Sequence, residues 1–225
     1  TDDPTVRLLE RHLRRVGTLD RRHIAHTFSL LRANDLVFGY VAKNWLMGDT
    51  PPAFDLLAWN ADGTDMPGRL HADFLRWCYV ENRLARGELE IDGTRLDLGR
   101  VDQPTYVVSA IDDHIVPWDS AYQTTQLLGG DDQRFVLSTS GHIAAIVNPP
   151  GPKAKHWVNP SLPTDAADWL ADAELRPGTW WEDWAVWIAE RAGPLVDPAP
   201  HLGSARHPAL GAAPGIYVHG PTAAP

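Results

Sequence analysis

The chain has 225 residues, 44% hydrophobic and 22% charged, which excludes wholesale disorder and collagen-like or coiled-coil chains and leaves room for one substantial core. Its net charge of −9, from 29 acidic and 20 basic residues, argues against a nucleic-acid partner, because displacing counterions from phosphates takes a basic face. One cysteine cannot form an internal disulfide, no signal peptide opens the sequence, and no apolar run approaches the ~20 residues of a membrane helix; the expectation is a cytosolic protein without a transmembrane segment.

Residues 5–16 space Val6, Leu8, Leu9, Leu13 and Val16 at helical intervals, and Gly17 stops them, which predicts a short helix. Arg7, Arg11, Arg14, Arg15, Arg21 and Arg22 read as a solvated face rather than a binding patch. A second helix is expected over 35–47, capped by Ala33-Asn34-Asp35 and closed by Gly48 and Pro51-Pro52. Phe54 to Trp59 suits a buried strand that opens into the loop Asn60–Gly63. Arg69 to Leu84 is apolar at helical spacing and ends at Gly87, with Cys78 on its apolar face as a buried, poorly reactive thiol. Glu88 to Leu98 alternates and splits at Asp92-Gly93, the signature of a small hairpin.

From Pro104 the pattern changes. Pro104 to Ala110 is a β-branched and aromatic run without helical period, followed by the polar Asp112-Asp113-His114. A helix over Ser120–Leu128 ends at Gly129-Gly130, and a second buried strand, Arg134–Ser138, runs into Ser140-Gly141-His142. Strand, loop, helix, strand makes one βαβ unit and favours a parallel sheet. Asp165 begins a helix through Trp169-Leu170, and Thr179 or Trp180 begins another whose Trp180, Trp184, Trp187 and Ile188 share one face, expected to cover the sheet edge or a neighbouring subunit. From Gly193 onward Pro, Gly and Ala dominate, which predicts an extended tail.

Asp113 and His142 stand 29 residues apart, each after a buried strand of the same unit, where open α/β sheets gather their chemistry. An acid followed by a histidine on late loops is also the chain order of α/β-hydrolase triads, in which the acid orients the imidazole and the imidazole moves a proton. Plainer roles fit the same residues: Asp112 and Asp113 as caps of the following helix, His142 as a turn residue. Asp112, Asp113, His114 and His142 also have the chemistry of metal ligands, although no motif such as HExxH supports that reading. His23 and His26 read as surface residues. No G-x-S-x-G or G-x-C-x-G elbow occurs, so no exposed nucleophile is visible.

Specific strings carry a resemblance. Asp113-His-Ile-Val-Pro-Trp118 with Ala121-Tyr122, Ser140-Gly-His-Ile143 and Asn148-Pro-Pro150 closely resemble the C-terminal catalytic region of polyhydroxyalkanoate synthases. So do Phe28–Arg32 with Asn34–Leu36, Phe54–Leu57 with Trp59-Asn60, Trp180-Trp181 with Trp184, and Pro214–Val218. The resemblance implies an α/β fold, the C-terminal portion of an α/β-hydrolase with helical cap elements. Residues 1–192 would form that portion, with cap-like and pocket elements over about 20–87, the βαβ with its Asp and His loops over 101–150, C-terminal helices over 164–192, and a Pro/Gly-rich tail over 193–225. It implies an acyltransferase that polymerises (R)-3-hydroxyacyl-CoA and releases CoA, with Asp113 and His142 as catalytic residues and a nucleophilic Cys that lies before Thr1 or is missing. Trp59, His114 and Ile143 are candidates for substrate contact, with His114 placed first as a brace of its loop. No cofactor or metal is implied, the CoA thioester being substrate. The expected partners are the growing polyester, a second copy in a homodimer, and the surface and proteins of a cytoplasmic granule. Two alternatives remain open: a non-catalytic homologue that binds a granule or subunit, and an ester or thioester hydrolase of the same fold.

Overall fold

A computed structural model describes residues 3–31, 37–50, 63–147 and 150–212. The cap at Asn34, the strand expected at Phe54–Trp59, Asn148-Pro149 and the closing Pro214–Val218 lie outside them. Helix α1 (Asp3–Val16) buries Val6 and Leu13 and turns its arginines to solvent, and Gly17 ends it at φ +84°. Strand β1 (Thr18–Leu19) pairs antiparallel with β2 (Met66–Pro67), and α2 (Arg21–Leu31) carries His23 and His26 exposed. Farther on, Val41–Leu46 forms a π-helical turn, and Gly48 follows at φ +77°.

Helix α3 (Gly68–Phe74) packs on α1, closely enough that a Cβ on Gly68 would sit 2.9 Å from the Leu13 carbonyl oxygen. It continues as a π-helical turn, Leu75–Val80, from which Arg76 donates to Glu10 at 2.7 and 2.8 Å and to Asp3 at 3.1 Å. The helix expected to reach Leu84 therefore ends at Val80. Asn82 adopts φ +50°, a conformation that asparagine tolerates better than most residues, and turns lead to Gly87. Cys78, on the π turn, is half-buried rather than buried. The hairpin is present as β3 (Glu90–Ile91) and β4 (Thr94–Arg95), with Asp92 and Gly93 both at positive φ as a tight turn of this kind requires.

The second half is built on a four-stranded sheet of order β5-β6-β7-β8. Strands β5 (Thr105–Ala110) and β6 (Gln133–Ser138) pair in parallel from Thr105↔Gln133 to Ala110↔Ser138. Between them the single helix expected at 120–128 is two, α4 (Trp118–Tyr122) and α5 (Thr124–Leu127). Pro117 starts the first, and the Gln123 N–H donates to the Ser120 carbonyl, a tighter bond that breaks the helical run. After β6 come α6 (Ala144–Val147), β7 (Lys155–Val158), α7 (Ala166–Ala171), β8 (Glu174–Pro177) and α8 (Trp180–Ala189). Strands β7 and β8 add antiparallel to the sheet and were not foreseen. Asp165 and Thr179 cap α7 and α8 with their side chains, as expected of Asp and Thr at those positions.

Alternation along the strands divides the core into two layers. Phe135 and Leu137 of β6 pack with Tyr122, Ala166 and Trp169, where the Phe135 and Trp169 rings meet edge to face at 4.8 Å. Arg134, the residue before Phe135, faces the other way and pairs with Asp183 of α8, and its β5 neighbour Tyr106 contacts the rings of Trp180 and Trp187. The expected tryptophan stripe thus covers the sheet through Trp180 and Trp187, while Trp184 stays substantially exposed. Helices on both faces of a mixed sheet make this an α/β protein. Past Gly193, residues up to 212 carry neither helix nor strand, apart from the isolated bridge Gly203↔Pro208.

Candidate active site

Strands β5 and β6 end side by side, so the loops that leave them emerge together. The Ile111 N–H donates to the Ser138 carbonyl at 3.0 Å and the Asp112 N–H to the Ser140 carbonyl at 3.2 Å, which joins the two loops by main-chain bonds. Ser140 has φ +89°, a region that disfavours residues with a Cβ, and the chain turns there into Gly141-His142. His142 then lies across from Asp113, with Nδ1 2.7 Å from Oδ2.

The Asp113 side chain is 8% exposed and that of His142 37%. Burial alone would raise the Asp113 pKa. The N–H groups of Val116 and Ile115, both donating to Oδ1 at 2.9 Å, and the bond from His142 outweigh burial and hold the carboxyl below its ordinary range. An ionised Asp113 accepts at Oδ2, so Nδ1 of His142 is the donor and Nε2 is the nitrogen left for proton transfer. The arrangement fixes a tautomer and the orientation of the ring.

The two backbone donors match the plainer reading of Asp113 as a cap, since Oδ1 accepts from the amides two and three residues on, although the next helix begins only at Trp118. His114 is exposed and Ile143 is 44% exposed. Trp59 lies outside the described residues. Among the described residues no group of three or more His, Cys, Asp or Glu side chains is arranged to hold a metal ion, so Asp112, Asp113, His114 and His142 do not converge as ligands. Behind the histidine loop, Ser138, Ser140, Ala145, Lys153 and Thr179 are among the residues lining a cavity of about 450 Å³.

The chain is 45% identical over 218 residues to poly(3-hydroxyalkanoate) polymerase 2 of Ectopseudomonas oleovorans, covering 96% of this chain and 39% of that protein. Over this segment the chain is similar to the poly(3-hydroxyalkanoate) polymerases. It is also 47% identical over 197 residues to the poly(3-hydroxyalkanoate) polymerase subunit PhaC of Cupriavidus necator, covering 87% of this chain and 33% of that one. To the poly(3-hydroxyalkanoate) polymerase of Methylorubrum extorquens it is 41% identical over 219 residues, 96% of this chain and 36% of the relative. The chain thus spans about two fifths or less of the length of these polymerases. No protein-family model matches it. Among the described residues no helix is long and apolar enough to cross a membrane.

Proposed function

We propose that the chain supplies the acid and the base of a polyhydroxyalkanoate synthase, an acyltransferase that polymerises (R)-3-hydroxyacyl-CoA. The observation that carries the reading is the 2.7 Å contact of His142 Nδ1 with a carboxylate already fixed by two backbone donors. The names of the polymerase relatives support the substrate class. In this reading the described α/β unit is the C-terminal portion of an α/β-hydrolase fold. Residues 20–87 belong to cap and pocket elements, 101–150 and 164–192 to the catalytic unit, and 193–225 to a tail. A nucleophilic Cys lies upstream of Thr1.

The chemistry then runs in two halves. The Cys thiolate, its proton taken by His142, attacks the thioester carbonyl; the bond to the CoA sulfur breaks, CoA leaves with the proton, and an acyl-enzyme remains. The hydroxyl of the next monomer or chain end then gives its proton to Nε2 of His142 and attacks the acyl carbon. The ester forms, the enzyme's thioester breaks, and the proton returns to the Cys sulfur. Asp113 holds Nδ1–H throughout and stabilises the imidazolium. Ile143, His114 and Trp59 are proposed to border the substrate. The same reading places the enzyme in the cytoplasm at the polymer granule, as a homodimer among granule proteins, with no cofactor.

The test is to express the complete reading frame and follow CoA release from 3-hydroxybutyryl-CoA. Wild-type turnover in both Asp113→Ala and His142→Ala would overturn the proposal, as would free hydroxy acid in place of polymer.

A further inference from the structure

Among the described residues the His142 side chain is held by one bond, and the loop that carries it begins at a strained Ser140 followed by Gly141. What fixes the imidazole must therefore come from the segment behind it. That segment is α6, whose amides bond back to Gly141 and Ile143: Ala145 N–H to the Gly141 carbonyl at 3.0 Å, and Ile146 and Val147 N–H to the Ile143 carbonyl at 3.0 Å. A helix of four residues leaves its carbonyls without intrahelical donors. Two of them are met from another element. The Trp180 indole N–H donates to the Ala145 carbonyl at 2.8 Å and the Trp181 indole N–H to the Ile146 carbonyl at 3.0 Å.

The two indoles are themselves placed. Trp180 packs on Tyr106 of β5 with ring centroids 6.3 Å apart and against Trp181 at 5.9 Å. The Tyr106 hydroxyl donates to Asp183 at 2.9 Å, and Asp183 pairs with Arg134 of β6. A continuous chain of contacts thus runs from both parallel strands, through α8, to the turn that follows His142.

We propose that Trp180 and Trp181 are positioning residues for His142, setting the approach of its ring to Asp113 through the carbonyls of α6. The inference rests on the catalytic reading of His142 given above. Catalytic geometry is sensitive on this scale, since displacing a group by about 1 Å can cost roughly 10²-fold in rate.

The test uses the complete reading frame and the variants Trp180→Phe, Trp181→Phe and their double, which keep the aromatic ring and remove the N–H. Trp184→Phe, on the same helix, is the control. The double variant is expected to lose about tenfold or more in kcat for CoA release from 3-hydroxybutyryl-CoA with KM little changed. Loss of two hydrogen bonds should lower its melting temperature by only about a few degrees. The proton NMR signal of the His142 Nδ1–H, bonded to Asp113 at 2.7 Å, should move or broaden, because the ring is held less firmly against the carboxylate. A structural role alone would lower the melting temperature and leave that signal in place. A double variant with wild-type kcat and an unchanged Nδ1–H signal, in a protein that His142→Ala inactivates, overturns this inference alone; an active His142→Ala variant overturns the catalytic reading beneath it. If the double variant does not fold, the two single variants carry the same comparison, and an unmoved Nδ1–H signal in both counts against the proposal.

Discussion

Asp113 Oδ2 and His142 Nδ1 meet at 2.7 Å across the ends of two parallel strands whose last paired residues are Ala110 and Ser138. The carboxylate is the better anchored partner, because Oδ1 is already committed to the amides of Ile115 and Val116. It is therefore the fixed point against which the imidazole is set.

Residues that act as a unit give non-additive losses. In the complete reading frame, Asp113→Asn and His142→Ala are each expected to lower CoA release by about 10²–10⁴-fold. The double variant should be little worse than His142→Ala alone. A double variant that multiplies the two single losses would show that the residues work independently.

The depressed pKa of Asp113 also makes a stability statement. A carboxyl whose folded pKa lies below its unfolded value of about 3.8 stabilises the fold fully above 3.8, and the contribution disappears as pH falls through the lower folded value. Asp113→Asn should therefore be less stable than the wild type near neutral pH, by about 1–2 kcal/mol for lost bonds to a charged acceptor. The gap should close below pH 3.8. Urea denaturation at a series of pH values reads this directly, and a gap that widens in acid would contradict it.

Ser140 turns the chain toward His142 at φ +89°. A residue with a Cβ held there costs on the order of 1–3 kcal/mol, which glycine avoids at some expense in unfolded-state entropy. Ser140→Gly is expected to raise stability by about 1 kcal/mol, and Ser140→Val to lower it, because β-branching adds strain. Equal denaturation midpoints for the two variants would show that the turn carries no strain.

Trp169 is fully buried and touches the rings of Trp118, Tyr122 and Phe135. Trp169→Ala should cost about 3–5 kcal/mol, a large share of a typical domain's stability. Gly129 is a second weak point for substitution, since a Cβ there would overlap the Gly99 carbonyl. Gly129→Ala should lower the melting temperature even though it adds only one methyl group. Thermal unfolding followed by circular dichroism checks both.

How legible each element was follows from how its residues signal. Strands β5 and β6 were readable because Tyr106-Val-Val and Phe135-Val-Leu are continuous apolar runs between polar loops. Strands β7 and β8 were not, because Lys155-His-Trp-Val and Glu174-Leu-Arg-Pro are four residues each and mix charge with apolar side chains. His156 is buried only because its Nδ1 lies 3.0 Å from the Gly178 carbonyl, a contact that no local pattern announces. At the site, Asp113 and His142 stood out by position after strands. Trp181 did not, because it lies off the helical face shared by Trp180, Trp184 and Trp187, and its role depends on a carbonyl 35 residues away. The π-helical turns were equally invisible, since the apolar spacing of Leu75–Val80 fits an ordinary helix.

The two-layer alternation along β6 has a consequence for alignment. Were β6 to slide by one residue against β5, the Arg134 guanidinium would enter the aromatic cluster of Trp169 and Tyr122, while Phe135 would be set against the carboxylate of Asp183. Either misplacement strands a charge in an apolar layer, so incorrect pairings are rejected by chemistry on both faces at once. The proofreading that keeps Ala110 opposite Ser138 is the same that brings the loops of Asp113 and His142 out level, and the precision of their meeting begins in the middle of the sheet.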